Sequence, residues 1–256
     1  MIVRKYPNLW QGCIGAWCPS QDSSRSTLLT DLSGRNNHGT LTNMDPGTDW
    51  VASQGKVALD FDGTNDRVQG NANLANGSGT ISLWMLSAAA LGRTAFVYTV
   101  GSAPTSTWSH VIGVTSGGQS AAYLFDGGQK SVSGVTITTG FWIHAALTWV
   151  NSGNAILYTN GLAGTPTAIN TAYYSAAGQC WLGSTCGATP NGISGWWNGQ
   201  LDDCRIYNRA LTQSEIATLS QRRGIAYETK RGRIGARATV VSTNRRRNNT
   251  LMGCGF

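Results

Sequence analysis

The chain has 256 residues, a length that allows a large apolar core without disulfides or a metal ion. Its 33 Gly and its charged fraction of 12% are typical of a turn-rich β protein. No run approaches the ~18 consecutive apolar residues of a membrane span, so we expect no membrane partner.

The formal charge of +7 is concentrated at one end of the chain. Residues 222–256 contain nine Lys and Arg and a single acid, Glu228, for a charge of +8, whereas the remaining residues sum to −1. A nearly neutral body argues against a broadly basic nucleic-acid-binding face, so we expect no nucleic acid partner for it.

The first residues predict an extended arm over 1–13. Arg4 and Lys5 are not followed by the apolar segment of a secretory signal peptide, so reduced thiols are expected by default. Beyond the arm, alternation and turn residues predict a succession of strands. These are Ala16–Cys18, Val57–Phe61, Arg67–Gln69, Thr80–Leu86, Thr94–Val100, His110–Thr115, Ala121–Phe125, Val132–Thr138, Trp142–Val150, Ala155–Thr159, Cys180–Gly183 and Gln200–Tyr207. The turn at 62–65 predicts a hairpin between the second and third of them.

After residue 207 the pattern changes from strand to helix. Thr212 and Glu215 have the spacing of a capping box, and Leu211, Ile216 and Leu219 follow at helical intervals. Gly224 is predicted to end this helix. A long β pattern closed by one short helix is an unusual signature.

Four blocks resemble the laminin-G-like, concanavalin A-like jelly rolls. They are the Asp-x-Ser-Gly loop at 31–41, the Leu-Asp-Phe-Asp-Gly stretch at 58–68, the Trp-rich strand at 142–149 with 157–161, and the closing segment at 196–216. The resemblance implies an all-β sandwich of two antiparallel sheets with one short C-terminal helix and an extended basic tail. The jelly-roll domain is expected over 14–224, and the tail over 225–256.

Catalysis is not expected from this sequence. Glycosidases need two carboxylates flanking the scissile bond, and the chain has only two Glu, one in the capping box and one near the end. The three His have no Ser or Cys beside them in a nucleophile motif, and His144, among apolar strand residues, is interpreted as a core histidine.

The resemblance also implies a calcium ion where the early loop meets the closing strand. Carried over to this chain, the expected ligands are Asp31, Asp202 and Asp203, because hard cations prefer carboxylate and carbonyl oxygens. The alternative is that these side chains cap turns and strand ends.

Exposed aromatic residues would provide platforms for a sugar ring. Trp108, Trp196 and Trp197 lie in loop-like stretches and are the predicted ligand-binding residues, with Tyr173 and Tyr174 nearby. Core positions are expected for Trp17, Trp84, Trp142 and Trp149. Among the six Cys, Cys204 is predicted to be a buried free thiol. The sequence leaves undecided whether Cys180 and Cys186 form a disulfide.

The basic tail is predicted to bind a partner protein through residues that offer planar donors or small apolar anchors. These are Arg231, Arg233, Arg237, Arg245, Arg246, Arg247 and Phe256. Together the features favour a non-enzymatic structural or binding protein on a virion surface, as a capsid decoration or fibre, whose partners are particle subunits. The alternative is a carbohydrate-binding or adhesion module, secreted or on a cell surface, with glycans as partners.

Overall fold

The structure, a computed structural model, describes residues 3–74, 77–88, 92–100, 108–170, 178–184 and 195–230. The strands, in chain order, are β1 (Cys13–Trp17), β2 (Leu28–Leu29), β3 (Gly39–Thr42), β4 (Trp50–Ser53), β5 (Lys56–Asp62), β6 (Arg67–Asn71), β7 (Gly79–Ser87), β8 (Arg93–Val100), β9 (Trp108–Val114), β10 (Gln119–Phe125), β11 (Gln129–Thr136), β12 (Trp142–Trp149), β13 (Asn154–Thr159), β14 (Leu162–Ala163), β15 (Thr167–Ala168), β16 (Gly178–Leu182), β17 (Gly195–Trp196) and β18 (Asn198–Tyr207). One α-helix, α1, spans Gln213–Leu219, and short 3-10 helices span Pro7–Trp10, Pro19–Gln21 and Ile225–Tyr227 in the described part of the chain.

These strands form two sheets packed face to face. Sheet I has the order β14-β13-β12-β7-β18-β5-β4, with β1 also paired to β18 and β15 to β13. Sheet II has the order β11-β10-β9-β8-β16-β6-β3-β2, with β17 paired to β8. All pairings are antiparallel except the two-residue contact of β17 with β8. The predicted all-β jelly-roll sandwich with one short helix is therefore confirmed.

The main core lies between the sheets and follows from strand alternation. On β7, Ile81, Leu83 and Met85 point inwards and are fully buried. Trp17 and Trp149 fill the same layer, as predicted. A smaller apolar cluster lies on the opposite face of sheet II and contains Val97, Val111, Ala121, Tyr123 and Trp181.

A second core covers the outer face of sheet I. Helix α1 and the 3-10 helices at both ends of the chain pack there against side chains that alternate out of the sheet. Its members include Leu9, Ala146, Tyr207, Ile216, Leu219, Ile225 and Ala226. The first and last described segments are thus part of the folded body.

The predicted divisions at 13/14 and 224/225 do not coincide with any break in this packing. The N–H of Lys5 donates to the Glu228 carbonyl at 2.7 Å, and the N–H of Lys230 donates to the Val3 carbonyl at 2.8 Å. Ile225 is 1% exposed, because it fills the second core. The packed body therefore continues from the arm through residue 230.

The hairpin predicted around 62–65 is wrong, although both strands exist. β5 belongs to sheet I and β6 to sheet II, so the turn is a corner between the sheets. Asp62 Oδ1 accepts the N–H of Thr64 at 2.7 Å, and Asp66 Oδ2 accepts the N–H of Asp62 at 2.9 Å. These carboxylates hold the tight turn, but a tight turn does not require its two strands to pair.

The capping box is present as predicted. The Thr212 hydroxyl accepts the N–H of Glu215 at 3.3 Å, and the Glu215 carboxylate accepts the N–H of Thr212 at 2.9 Å. The helix ends at Leu219, earlier than predicted, and Gly224 instead begins the last 3-10 helix with φ of +71°. A second partner of Glu215 is Arg209, whose Nη2 lies 2.7 Å from the carboxylate.

This pairing predicts an acid-sensitive contribution to stability. Hydrogen bonding to Arg209 lowers the pKa of Glu215 to about 2, from an ordinary 4.5. Because the pKa is lower in the folded protein, the stabilisation is complete above about pH 4.5 and is lost as the pH falls through about 2.

The variant Glu215→Gln keeps the capping hydrogen bonds but removes the charge. Urea unfolding of both proteins is expected to show a difference in the free energy of unfolding that is largest near neutral pH and shrinks between about pH 4.5 and about pH 2. A difference that stays constant over this range would show that the ion pair contributes nothing.

Candidate functional site

The closing strand β18 contains a β-bulge at the position of its two acidic residues. Trp84 of β7 lies opposite Asp202, whereas Ser82, two residues away, lies opposite Arg205, so β18 has one extra residue here. Asp203 adopts a left-handed φ of +47° within the bulge. As a result, the side chains of Asp202 and Asp203 do not follow the two-residue alternation of a regular strand.

Asp203 forms a buried ion pair with Arg205. Its Oδ1 accepts the Nε–H of Arg205 at 2.8 Å, and its Oδ2 accepts the N–H of Gly224 at 2.8 Å. The guanidinium of Arg205, which is 0% exposed, lies 4.8 Å from the Trp10 ring centroid and 4.6 Å from that of Tyr227. This charge therefore joins the closing strand to both ends of the described chain.

Asp202 is held by a different set of partners. Its Oδ1 accepts the N–H of Asp203 at 2.8 Å and the N–H of Ser20 at 3.3 Å, while Oδ2 lies 3.5 Å from Nη1 of Arg223. Burial raises the pKa of Asp202 to about 6, with Asp203 adding to the shift and Arg223 opposing it.

Asp31 stabilises the early loop from inside. Its Oδ1 accepts the N–H groups of Ala16 and Ser33, each at 2.9 Å. Its Oδ2 accepts the Ser33 hydroxyl at 2.8 Å and the Asn37 N–H at 2.9 Å. Both oxygens of Asp31 thus have protein donors, as do both oxygens of Asp203.

These contacts show whether the three carboxylates are free to bind the expected calcium ion. A cation at Asp31, Asp202 and Asp203 would have to displace N–H donors and a paired arginine. Within the described ranges, no group of three or more His, Cys, Asp or Glu is arranged to hold a metal ion. Calcium binding at these residues stays a prediction, but carboxylates that already accept N–H groups and pair with an arginine do not fit a cation site. The contacts match the alternative, in which these side chains cap turns and strand ends.

The two Glu side chains and His144, which were considered for catalysis, are either paired with a cation or buried. Glu215 pairs with Arg209, and Glu228 with Lys5 and Arg222. His144 shares a 2.8 Å hydrogen bond between its Nε2 and the Ser82 hydroxyl, but both residues are 1% exposed. Burial lowers the pKa of His144 to about 4, so the ring is neutral at pH 7 and closed to substrate.

The thiols follow the sequence prediction where they are described. Cys204 is buried and free, as expected, and so are Cys13, Cys18 and Cys180. Burial raises the pKa of Cys180 well above its ordinary value. The proposed partner Cys186 lies outside the described residues, and Cys180 itself is a free thiol.

The predicted sugar platforms do not share one surface. Trp197 is 0% exposed and belongs to the main core, so its assignment as an exposed ligand-binding residue is wrong. Consecutive residues of an extended chain face opposite sides, and only its neighbour Trp196 is partly exposed. The side chain of Trp108 and both Tyr173 and Tyr174 lie outside the described part of the chain.

The partner-binding residues predicted in the tail are also outside the described residues, which end at 230. They are Arg231, Arg233, Arg237, Arg245, Arg246, Arg247 and Phe256. None of the helices within the described ranges is long and apolar enough to cross a membrane.

The structure shows an aromatic surface cleft that the sequence patterns did not indicate. It has a volume of about 360 Å³ and lies where β11 ends, β12 begins and β13 ends. Its lining consists of Val135, Thr136, Ile137, Thr138, Phe141, Trp142, Ile143, Thr159 and Asn160. We refer to these nine residues as the aromatic cleft.

Two exposed apolar side chains distinguish this surface. Phe141 is 63% exposed and Val135 is 51% exposed, so both present apolar area to solvent. Beside them, Trp142 is half-buried, and its Nε1–H donates to the Ser53 hydroxyl at 3.1 Å. The ring of Trp142 is therefore fixed in orientation.

Asn160 places an amide at the edge of the cleft. It adopts a φ of +52° and is followed by Gly161 at +80°, the backbone of a tight turn between β13 and β14. Its Oδ1 accepts the N–H of His144 at 2.9 Å, and its own N–H donates to the His144 carbonyl at 2.8 Å. The amide NH₂ has no hydrogen-bond partner among the described residues, which leaves a fixed donor beside the aromatic rings.

Two antiparallel sheets packed face to face define a jelly-roll β-sandwich. The chain belongs to the Concanavalin A-like lectin/glucanases superfamily, whose laminin-G-type profile matches residues 62–217. The resemblance in its sequence blocks is thereby confirmed. No curated protein matches the sequence significantly.

Solved structures share the fold at low sequence identity. Domain 4 of AbnA, a GH43 extracellular arabinanase from Geobacillus stearothermophilus in complex with arabinotriose, is 20% identical, with a TM-score of 0.60, over 82% of this chain and 98% of that domain. The receptor-binding domain of botulinum neurotoxin mosaic serotype C/D is 16% identical, with a TM-score of 0.62, over 83% of this chain. The binding domain of Paraclostridial Mosquitocidal Protein 1 is 17% identical, with a TM-score of 0.61, over 83% of this chain. The chain spans about half of each toxin domain, 51% and 52% respectively.

The buried pair in the bulge yields a stability prediction. Asp203→Asn keeps a residue that tolerates the left-handed φ but leaves Arg205 without a counter-charge. We expect a loss of ~3–5 kcal/mol in the free energy of unfolding, measured by urea denaturation, because an unpaired buried charge is costly.

The matched control is Asp62→Asn at the exposed corner turn, where the change should stay within about 0.5 kcal/mol. Equal losses for the two variants would show that the ion pair has no special role.

Proposed function

We propose that this protein is a non-enzymatic binding module that holds carbohydrate in the aromatic cleft. The observation that carries the proposal is Phe141, 63% exposed beside the fixed ring of Trp142. A large apolar side chain left in water beside a second aromatic ring is typical of a binding surface.

The cleft has the chemistry that a sugar requires. One face of a sugar ring is apolar and packs on an aromatic ring, while its hydroxyls need directed polar partners. Thr136 and Thr138 are exposed hydroxyls within the lining, and Asn160 contributes its amide donor. Apolar and polar contacts are thus available on the same small surface.

The same lining argues against hydrolysis. None of the nine residues of the aromatic cleft is Asp or Glu. Glycoside cleavage generally needs two carboxyl groups across the scissile bond, so this cleft would bind a glycan without cutting it.

The structural neighbours support a binding role. The arabinanase domain was solved with arabinotriose, and the binding domain of botulinum neurotoxin DC, 13% identical over 83% of this chain with a TM-score of 0.59, was solved with rat synaptotagmin II. By analogy, the partner proposed for this protein is a glycan or a protein receptor outside the cell.

The variant Phe141→Ala tests the carbohydrate proposal. Binding should be measured first on a glycan array and with arabinotriose, then by calorimetry with the best glycan. We expect the affinity to fall about tenfold or more, equivalent to ~1.4 kcal/mol, because the stacking surface is lost.

The matched control is Leu28→Ala, which removes another exposed apolar side chain, 43% exposed, from sheet II. Glycan binding should be unchanged in this variant. A wild-type protein that binds no glycan, or a Phe141→Ala variant that binds as well as wild type, would contradict the proposal.

A second proposal concerns where the module is displayed. The charge of +6 in residues 231–256, against +1 on the rest of the chain, favours a basic strap that fastens the protein to a larger particle. A virion surface, as a capsid decoration or fibre, is the proposed location, with a cell surface or the extracellular medium as the alternative.

Replacing Arg245, Arg246 and Arg247 with Ala tests this strap. Sedimentation of the native particle is expected to retain the wild-type chain and to leave the variant free, while the melting temperature is unchanged. Retention of the variant at wild-type occupancy would place the anchor elsewhere. A log–log salt slope near −0.9 per neutralised phosphate would identify a nucleic acid partner instead of a protein.

A further inference from the structure

A small pocket of about 210 Å³ lies next to the aromatic cleft. It is lined by Gln54, Lys56, Trp84, Trp142, Arg222 and Arg223, and we refer to it as the cationic pocket. Trp142 lines both the cleft and the pocket, so the two are neighbours on the surface.

The side chains around the cationic pocket carry a positive charge. Three of its six lining residues are cations and none is an acid. The nearby acids are Asp202, 3.5 Å from Arg223, Glu228, which pairs with Arg222 and Lys5, and Asp203, which pairs with Arg205. Five cations thus lie near three carboxylates, and a charge near +2 remains.

Lys56 contributes about half of this surplus. Its ammonium donates to the Arg223 carbonyl, which is neutral, and it forms no ion pair within the described residues. Arg223 is fixed in place, because its Nη2 donates to the Ser53 carbonyl and its guanidinium lies 4.1 Å from the Trp142 ring centroid. The fold therefore holds the charged groups of Lys56 and Arg223 in place.

One buried donor at this pocket has no acceptor, and a second has only a long ionic contact. The indole Nε1–H of Trp84, a residue 8% exposed, has no hydrogen-bond partner among the described residues. Nη1 of Arg223 makes only the 3.5 Å contact with Asp202. A buried N–H without an acceptor is destabilising, and an indole can only donate. The complementary ligand is therefore an acceptor with negative charge.

The size of the pocket limits what enters it. At about 210 Å³ it is below the roughly 300–1,000 Å³ of sites that enclose a whole small molecule. A single charged substituent fits this scale better than a complete sugar unit, which would lie in the larger cleft alongside.

We infer that the cationic pocket binds the carboxylate or sulfate group of an acidic glycan, with Lys56, Arg223 and the Trp84 indole as donors. This inference rests on the proposed function of the cleft, and it names the ligand class: the sugar ring packs on Phe141 and Trp142 while its anionic substituent enters the pocket.

The first experiment measures the anion alone, without any glycan. The indole ¹H–¹⁵N signal of Trp84, assigned with Trp84→Phe, is followed while inorganic sulfate or acetate is added to the full-length protein. A saturable shift is expected in wild type and is expected to weaken about tenfold in Lys56→Gln, the scale of one charge-assisted hydrogen bond. No saturable shift with either anion would overturn the inference whatever the cleft binds.

The second experiment compares a neutral oligosaccharide with its carboxylated and sulfated counterparts. Wild type is expected to bind an acidic form about tenfold more tightly than the neutral form, and Lys56→Gln should remove that preference without changing neutral binding. The control Lys130→Gln, a half-buried lysine on sheet II beside Asp126, should behave as wild type.

The outcomes separate the two proposals. Loss of both neutral and acidic binding in Phe141→Ala supports the shared surface. Neutral binding with no acidic preference overturns the anion site and leaves the cleft proposal standing. A saturable anion shift without any glycan binding overturns the cleft proposal and, with it, the acidic glycan as ligand.

Discussion

The buried ion pair of Asp203 and Arg205 is the contact on which the outer layer of this sandwich depends. Sheet I would otherwise expose its outer face, and the layer covering that face comes from the two ends of the described chain. Arg205 meets Trp10 from one end and Tyr227 from the other, while Asp203 accepts the N–H of Gly224. A low-dielectric site makes a lone charge expensive, so each partner requires the other. The β-bulge supplies the geometry, because a regular strand would direct these side chains differently.

Local features of the fold could be predicted from the sequence because their determinants are close in the chain. The capping box, for example, needs only Thr212 and Glu215. The sheet that a strand joins cannot be predicted from nearby residues in this way. The turn at Asp62 is visible in the sequence, but whether β5 and β6 pair depends on partners far along the chain, β18 for one and β16 for the other.

The same limit applies to the site. The calcium ion expected at Asp31, Asp202 and Asp203 follows from the family resemblance and stays a prediction, whereas the hydrogen bonds that these carboxylates accept become visible only in the folded structure. Trp197 was expected at the surface, but its core packing is set by the opposite sheet. The aromatic cleft combines the ends of three strands, so no single stretch reveals it. The local signal is the pair of adjacent aromatic residues Phe141 and Trp142 at the start of β12.

The outer layer links the stability of the fold to the proposed binding surface. Residues 222–228 complete the second core through Ile225 and Ala226, and the same short segment carries Arg222 and Arg223 into the cationic pocket. Lys56 and Trp84 reach that pocket from sheet I, so its charge is assembled only when the layer is docked on the sheet. Trp142 then connects the pocket to the cleft through a ring whose face is covered by Arg223 and whose Nε1–H is held by Ser53. A surface built this way is fixed before a ligand arrives, which reduces the entropy lost on binding.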